Sequence, residues 1–287
     1  MSMQNIIESL QHYRQRPVLT IAATQLDLEI LPPLYELLRQ QPRRERLDVL
    51  FYSRGGIVNA ARRVALLLRE FADEISFLVP HYCESAGTVT ALSANEIIAG
   101  PLAIFSPIDP LLTAGQPGEA GPLALSAQDL RLFSEMSRQW FGLEQHEAQQ
   151  HALQTLATNI FPSTLTSFYR STLEMQSICR ELLALHRPDE VERCKQIADQ
   201  LIFGYHSHTY ALTRDDMKAL GLPVTSDPEI EPLLWSVAQA LHESVGAISR
   251  RESDSGWQDA LLGSGEGRWL RTRSEDMPPH WQFARWS

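Results

Sequence analysis

Lysine is nearly absent from this chain. Of its 25 basic residues only Lys195 and Lys218 are lysines, and none lies between Met1 and Cys194. A lysine general base is therefore excluded from the first two thirds of the sequence. Cysteine is also scarce: Cys83, Cys179 and Cys194 cannot all pair, which argues against a disulfide framework and for a reducing compartment. His206-x-His208 with Cys194 lacks a fourth ligand and fits no standard zinc spacing, so no metal is expected, and no cofactor. There is no G-x-G-x-x-G, hence no dinucleotide fingerprint. Long apolar runs are missing too: a bilayer span needs about 20 such residues, whereas the best runs here, 18–23 and 75–80, are far shorter. The first ten residues carry Glu8 and no basic stretch leading into an apolar one, so no secretory signal is expected. Excess positive charge is absent: the net charge is -10, which excludes a sequence-independent nucleic-acid binder. These absences leave a cytoplasmic protein without a membrane span as the expectation.

What is present reads as an ordinary globular chain: 287 residues, 44% apolar, 21% charged. Strand and helix signals alternate over the first hundred residues. Apolar, β-rich runs at 18–23, 47–52, 75–80 and 96–99 are separated by helical patterns at 31–40, 56–71 and 85–94. Strands buried on both faces and joined by helices imply right-handed crossovers and a parallel sheet. Beyond Asp109 the pattern changes: 113–121 reads as an exposed loop of small residues, and 126–203 as helical, broken near 159–162 and 187–188. Thr213 with Asp216 three residues on reads as a capping box, stopped at Gly221. A further amphipathic helix is expected over 229–247. The last residues hold four of the six tryptophans, Trp257, Trp269, Trp281 and Trp286. The expected organisation is an α/β core over 1–112, a helical part over 113–250 and a Trp-rich tail over 251–287 that docks on the protein or on a partner.

Two glycine-bearing turns fall at the carboxyl ends of successive strands, where open α/β sheets bind ligands. In Ser53-Arg54-Gly55-Gly56, paired glycines allow backbone N–H groups to approach a ligand as an oxyanion hole demands; the same turn also suits a bare βα connection. In His81-Tyr82-Cys83-Glu84-Ser85-Ala86-Gly87-Thr88, a serine precedes a helix, where positive potential favours a developing alkoxide; such a serine is equally an N-cap. Cys83 is read as apolar packing rather than as a nucleophile.

Together, S-x-GG followed by V-P-H-Y-x-x-S-x-G-T, Asn95-Glu96-Ile97-Ile98, and Phe105-Ser106-Pro107-Ile108-Asp109-Pro110 resemble the ClpP/crotonase superfamily. The serine dehydrogenase proteinase family and its signal-peptide-peptidase relatives are the nearest in pattern. His206-Ser207-His208-Thr209-Tyr210 through Leu220-Gly221-Leu222-Pro223-Val224 resembles the same family's later segment. The resemblance implies a ClpP/crotonase-like α/β fold with a mostly parallel sheet and a helical C-terminal extension. It implies a serine peptidase or hydrolase acting on a peptide or protein, with Ser85 as nucleophile, Gly55, Gly56 and Ala86 as oxyanion donors, and Asp109 as the family's acidic residue. His208 matches the late histidine and is the expected base in place of the missing lysine, with His81 a possible auxiliary. Homo-oligomers are implied as well. Ser106 stands where the glycine of the Asp109 turn would be, and three departures point the other way: Arg54 precedes the double glycine, Glu84 sets a negative charge beside Ser85, and the lysine many relatives use is missing. An inactive, partner-binding scaffold is therefore a rival expectation. A crotonase-type acyl-CoA enzyme is a second rival.

Overall fold

The computed structural model describes residues 2–114, 123–245, 256–265, 267–274 and 278–286. In chain order the elements are α1 (Met3–Arg14), β1 (Val18–Ala23), α2 (Leu31–Leu38), β2 (Arg44–Ser53), α3 (Val58–Phe71), β3 (Ala72–Val79), β4 (Tyr82–Cys83), α4 (Ala86–Ala91), β5 (Glu96–Ala99), β6 (Ile104–Phe105), β7 (Leu111–Ala114) and β8 (Leu123–Ser126). They continue with α5 (Ala127–Phe141), α6 (Gln145–Asn159), α7 (Pro162–Ala184), α8 (Val191–Phe203), α9 (Arg214–Ala219), β9 (Val224–Thr225), α10 (Glu231–Ser244), β10 (Gly256–Ser264), β11 (Gly267–Ser274) and β12 (His280–Ala284).

One sheet organises the fold, in the order β12-β11-β10-β1-β2-β3-β5-β9. From β1 to β9 the neighbours run parallel, as the alternating strand and helix signals require. Period-two alternation sorts the side chains onto two faces. Leu47, Val49 and Phe51 of β2 join a core with α2, α3, α7 and α8. Leu50 and Tyr52 face a second core built with Ile6, Ile7 and Leu10 of α1 and Leu234, Val237 and Leu241 of α10. Fully buried Asp48 lies on the α1 side of β2, where Arg14 donates to it at 2.8 Å and also to Glu96 at 2.8 Å. A buried carboxylate is tolerable because it is paired in this way.

The α/β class and the mostly parallel sheet agree with expectation, and the Thr213–Asp216 capping box forms. Two elements differ. Residues 113–114, expected in a loop, belong to β7, which pairs with β8 as a hairpin; the rest of that expected loop, 115–121, lies outside the described residues. The Trp-rich stretch, with no strands expected, lies on the protein as three antiparallel strands added to β1. Trp269 and Trp281 pack on the main core, and the Trp286 indole N–H donates to the Ser264 carbonyl at 2.6 Å. Its strand pattern is hidden because an arginine, Arg271, occupies a fully buried position where alternation would call for an apolar residue.

Candidate active site

The register of the short strand β4 creates the site. Cys83 pairs with Ser53, and Glu84 N–H donates to Ser53 C=O at 3.0 Å, so the two glycine-bearing turns leave the sheet side by side. Ser85 then adopts φ 52° and ψ -114°, a region that side chains rarely occupy. Such a conformation costs on the order of 1–3 kcal/mol and persists only where its surroundings over-determine it. They do so here. Ser85 N–H donates to Ser106 Oγ at 2.7 Å, and Gly87 N–H donates to Glu84 C=O at 2.7 Å. The Thr88 hydroxyl reaches both Cys83 C=O at 2.8 Å and Ser106 C=O at 3.1 Å. Ser106, where the family pattern has glycine, is thus a hydrogen-bonding member of the turn.

Facing it, Gly55 and Gly56 have φ of 119° and 130°. A Cβ on Gly55 would lie 3.0 Å from Ser85 Cβ, so the missing side chain permits the close approach. A Cβ on Gly56 would lie 2.3 Å from Leu26 C=O. Leu26 grips this turn through its backbone, donating to Gly55 C=O at 2.7 Å and accepting from Ile57 N–H at 2.8 Å. Gly55 N–H donates to Ser53 Oγ at 3.2 Å. Among the described residues, the Gly56 and Ala86 N–H groups have no acceptor within the protein.

A cleft of about 790 Å³ opens over Ser85 and also exposes Gly56, Arg54, Asp109, His208 and Gln25. Ser171, Glu174 and Met175 of α7 form its far wall. His208 arrives from far along the chain because Leu212 and Phe105 exchange hydrogen bonds of 2.8 and 2.9 Å, tying that segment to β6, the neighbour of β4. Its Nδ1 is buried and without a partner. Asp109 is also buried, and burial pushes its carboxyl above the usual carboxylate range, against the opposing effects of the Ser126 hydroxyl and of His208. On the other side of α7, a second, apolar pocket of about 420 Å³ shares Asp109 and Pro110 with the cleft and is lined by Leu165, Phe168, Ile202 and Phe203 among others.

The structure therefore brings Ser85, Gly56, Asp109 and His208 to one cleft, with Ala86 next to Ser85 in the chain and Gly55 facing it from the neighbouring turn. It does not bring His81 there. The His81 ring stacks on Tyr82 at 3.9 Å, and Tyr82 packs with Tyr52 on the α1/α10 face of the sheet. Burial, then His242 and Arg54, lower its pKa. Glu84 is not a free charge beside Ser85: it pairs with Arg54 at 3.5 Å, whose guanidinium lies 4.3 Å from the Tyr82 ring centroid. The Cys83 thiol is buried and its pKa raised well above the ordinary range, consistent with packing. Among the described residues no group of three or more His, Cys, Asp or Glu is placed to hold a metal, so the His206, His208 and Cys194 set does not form. Sequence reasoning missed Leu26, Gln25 and Ser126. Only Ser126 carried a local signal, the S-x-x-D of the capping box that starts α5.

Residues 10–120 match the model of the ClpP-like SDH-type serine proteinases, so the resemblance carried by the two turns is borne out there. Two uncharacterized proteins of Methanocaldococcus jannaschii are similar to the chain. One is 26% identical over 238 residues, 78% of this chain and 74% of that protein. The other is 25% identical over 202 residues, 70% of this chain and 60% of that protein. Among solved structures, a serine-to-alanine mutant of 1510-N, a membrane-bound stomatin-specific protease, aligns with a TM-score of 0.43 at 14% identity, covering 80% of this chain and 86% of that one. Among the described residues no helix is long and apolar enough to cross a membrane.

Proposed function

Because residues 10–120 match the model of the ClpP-like SDH-type serine proteinases, we propose that the chain is a serine peptidase with Ser85 as its nucleophile. The observation that carries this reading is the strained Ser85 backbone, held against Gly55 and Gly56 in a cleft shared with His208 and Asp109. In the reaction, Ser85 Oγ attacks the scissile carbonyl while His208 takes the hydroxyl proton. The N–H groups of Gly56 and Ala86 hold the oxyanion; Gly55, whose own N–H is spent on Ser53, shapes the turn. Collapse of the tetrahedral intermediate breaks the C–N bond, and His208 returns the proton to the leaving amine. Water then releases the acyl group from Ser85. Asp109 is the buried carboxyl that would orient His208. The apolar pocket beyond α7 suits an apolar segment of a peptide substrate.

Three buried free thiols fit a reducing, cytoplasmic location. The exposed Trp140, Phe141, Leu153 and Phe161 of the α5–α7 region fit contacts in a homo-oligomer. At the other end of the sheet, β12 is an edge strand through which the C-terminal segment can pair with a protein partner.

Labelling with a fluorophosphonate probe tests the assignment. Wild type is expected to label, Ser85→Ala to lose labelling entirely, and His208→Ala to lose most of it. A folded wild type that does not label favours the inactive scaffold. That second reading has its own support: Ser126 occupies the Asp109 carboxylate while His208 Nδ1 stays unpartnered.

A further inference from the structure

The glycine turn beside Ser85 is not held by its own neighbourhood alone. Leu26, outside the turn, clamps it through backbone bonds to Gly55 and Ile57 on either side of Gly56. Leu26 belongs to a short connection between β1 and α2, and that connection is pinned from the C-terminal strands. Arg271, on β11 and fully buried, donates from Nη1 to both Asp27 carboxylate oxygens at 2.7 and 2.8 Å, and from Nη2 to Gln25 C=O at 3.4 Å. Its Nε and Nη2 in turn bond Asp259 of β10 at 2.7 and 3.0 Å, fixing the guanidinium plane. Arg273 adds a second contact to Asp27 at 3.3 Å and one to Asp259. Residues 25 and 27 on both sides of Leu26 are thus gripped by one planar, buried cation, while Gln25 also lines the cleft. A guanidinium suits this task better than an ammonium because its rigid fork satisfies two carboxylates and a carbonyl at once.

We infer that Arg271 is a positioning residue for the oxyanion turn, acting through Asp27 and Leu26 to set where the Gly56 N–H lies relative to Ser85. The antiparallel C-terminal strands, outside the stretch that matches the proteinase family, are by this inference part of the catalytic apparatus. The inference rests on the reading of Ser85 as nucleophile, but its physical core, the clamp on the turn, can be read without activity.

The experiment compares Arg271→Met, Arg271→Lys and Asp27→Asn with Arg14→Met. The last removes an ion pair of similar burial that holds α1 to β2 and does not touch residues 25–27. Each full-length variant is measured for thermal midpoint, for its second-order rate of fluorophosphonate labelling at Ser85, and for hydrogen exchange at the Leu26 and Ile57 amides. Misplacing an oxyanion donor slows labelling by about 10- to 100-fold, and this is expected for Arg271→Met. Arg271→Lys is expected to restore part of the rate, and Asp27→Asn to lose it in the same direction. Exchange at Leu26 and Ile57 rises in parallel, because those amides make the clamping bonds. Arg14→Met loses thermal stability but labels within about twofold of wild type. If Arg271→Met does not fold, Arg271→Lys and Asp27→Asn carry the same two readouts. Unchanged labelling and exchange in folded Arg271 and Asp27 variants, or an equal loss in Arg14→Met, overturns the inference. A wild type that fails to label while exchange responds to Arg271 and Asp27 leaves the clamp standing and removes the nucleophile reading instead.

Discussion

Ser126 donates its hydroxyl hydrogen to the carboxylate of Asp109, so the buried acid beside the Ser85 cleft is tethered to the start of α5. The same Ser126 oxygen accepts from Gln128 N–H at 2.9 Å as the cap of that helix. His208, lining the same cleft, keeps its Nδ1 buried and unpartnered. Asp109 thus has a hydrogen-bond partner at the start of α5, while the nearby His208 Nδ1 has none.

Replacing Ser126 by Ala removes its bond to Asp109. The cap is worth about 1 kcal/mol, so the thermal midpoint is expected to fall slightly. Labelling of Ser85 is nevertheless expected to rise by roughly severalfold as Asp109 becomes free to orient His208. A rate that falls or stays level means that Asp109 does not serve His208.

Burial raises the Asp109 pKa in the folded protein, so the folded chain holds this proton more tightly than the unfolded chain does. The corresponding stability is fully present below the unfolded pKa of about 4 and is lost as pH rises through the higher folded value. Asp109→Asn cannot ionise. Its urea midpoint, relative to wild type, is expected to climb as pH goes from about 4 to 7. A difference that stays flat with pH shows that Asp109 is not so perturbed.

Ser85 pays for its geometry with backbone strain at φ 52°. Ser85→Gly removes the Cβ that makes this conformation costly, and is expected to raise stability by about 1 kcal/mol while abolishing labelling. Ser85→Ala keeps the strain and should gain much less. Equal midpoints for the two variants would show that the strain is not stored there.

At Gly56 both the positive φ and the 2.3 Å approach to Leu26 forbid a side chain, and the obstacle is backbone that cannot swing aside. Gly56→Ala is expected to cost on the order of 2–4 kcal/mol and to abolish labelling. Gly142, also at positive φ but with nothing within 4 Å of its virtual Cβ, provides the comparison: Gly142→Ala should cost only about 1 kcal/mol.

The Arg54–Glu84 pair keeps a negative charge from acting alone next to the nucleophile. Arg54→Gln leaves Glu84 uncompensated and is expected to slow labelling by roughly 3- to 10-fold, an effect that weakens in high salt. The double variant Arg54→Gln with Glu84→Gln should recover the rate. If it does not, Arg54 acts by some means other than neutralising Glu84.

The sequence by itself determined the repeated strand–helix order, the two-faced core and the two turns, because each is written locally. Periodicity sorts Val49 and Phe51 from Leu50 and Tyr52, and paired glycines announce a turn that a side chain would block. It also offered Ser85, Asp109 and His208 as candidates, though only through resemblance for the last two. Tertiary structure alone decided their assembly. The two-residue strand β4 is too short to carry a periodic signal, yet its register beside Ser53 sets Ser85 against Gly55. A single backbone exchange between Leu212 and Phe105 carries His208 to the cleft, while stacking on Tyr82 takes His81 elsewhere. The C-terminal strands were illegible because a buried arginine breaks their alternation, and Arg271 finds its carboxylates on Asp27 and Asp259 only once the sheet is built. Pairings between residues hundreds of positions apart leave no trace in local pattern, since the free energy that fixes them comes from burial and exists only in the folded chain.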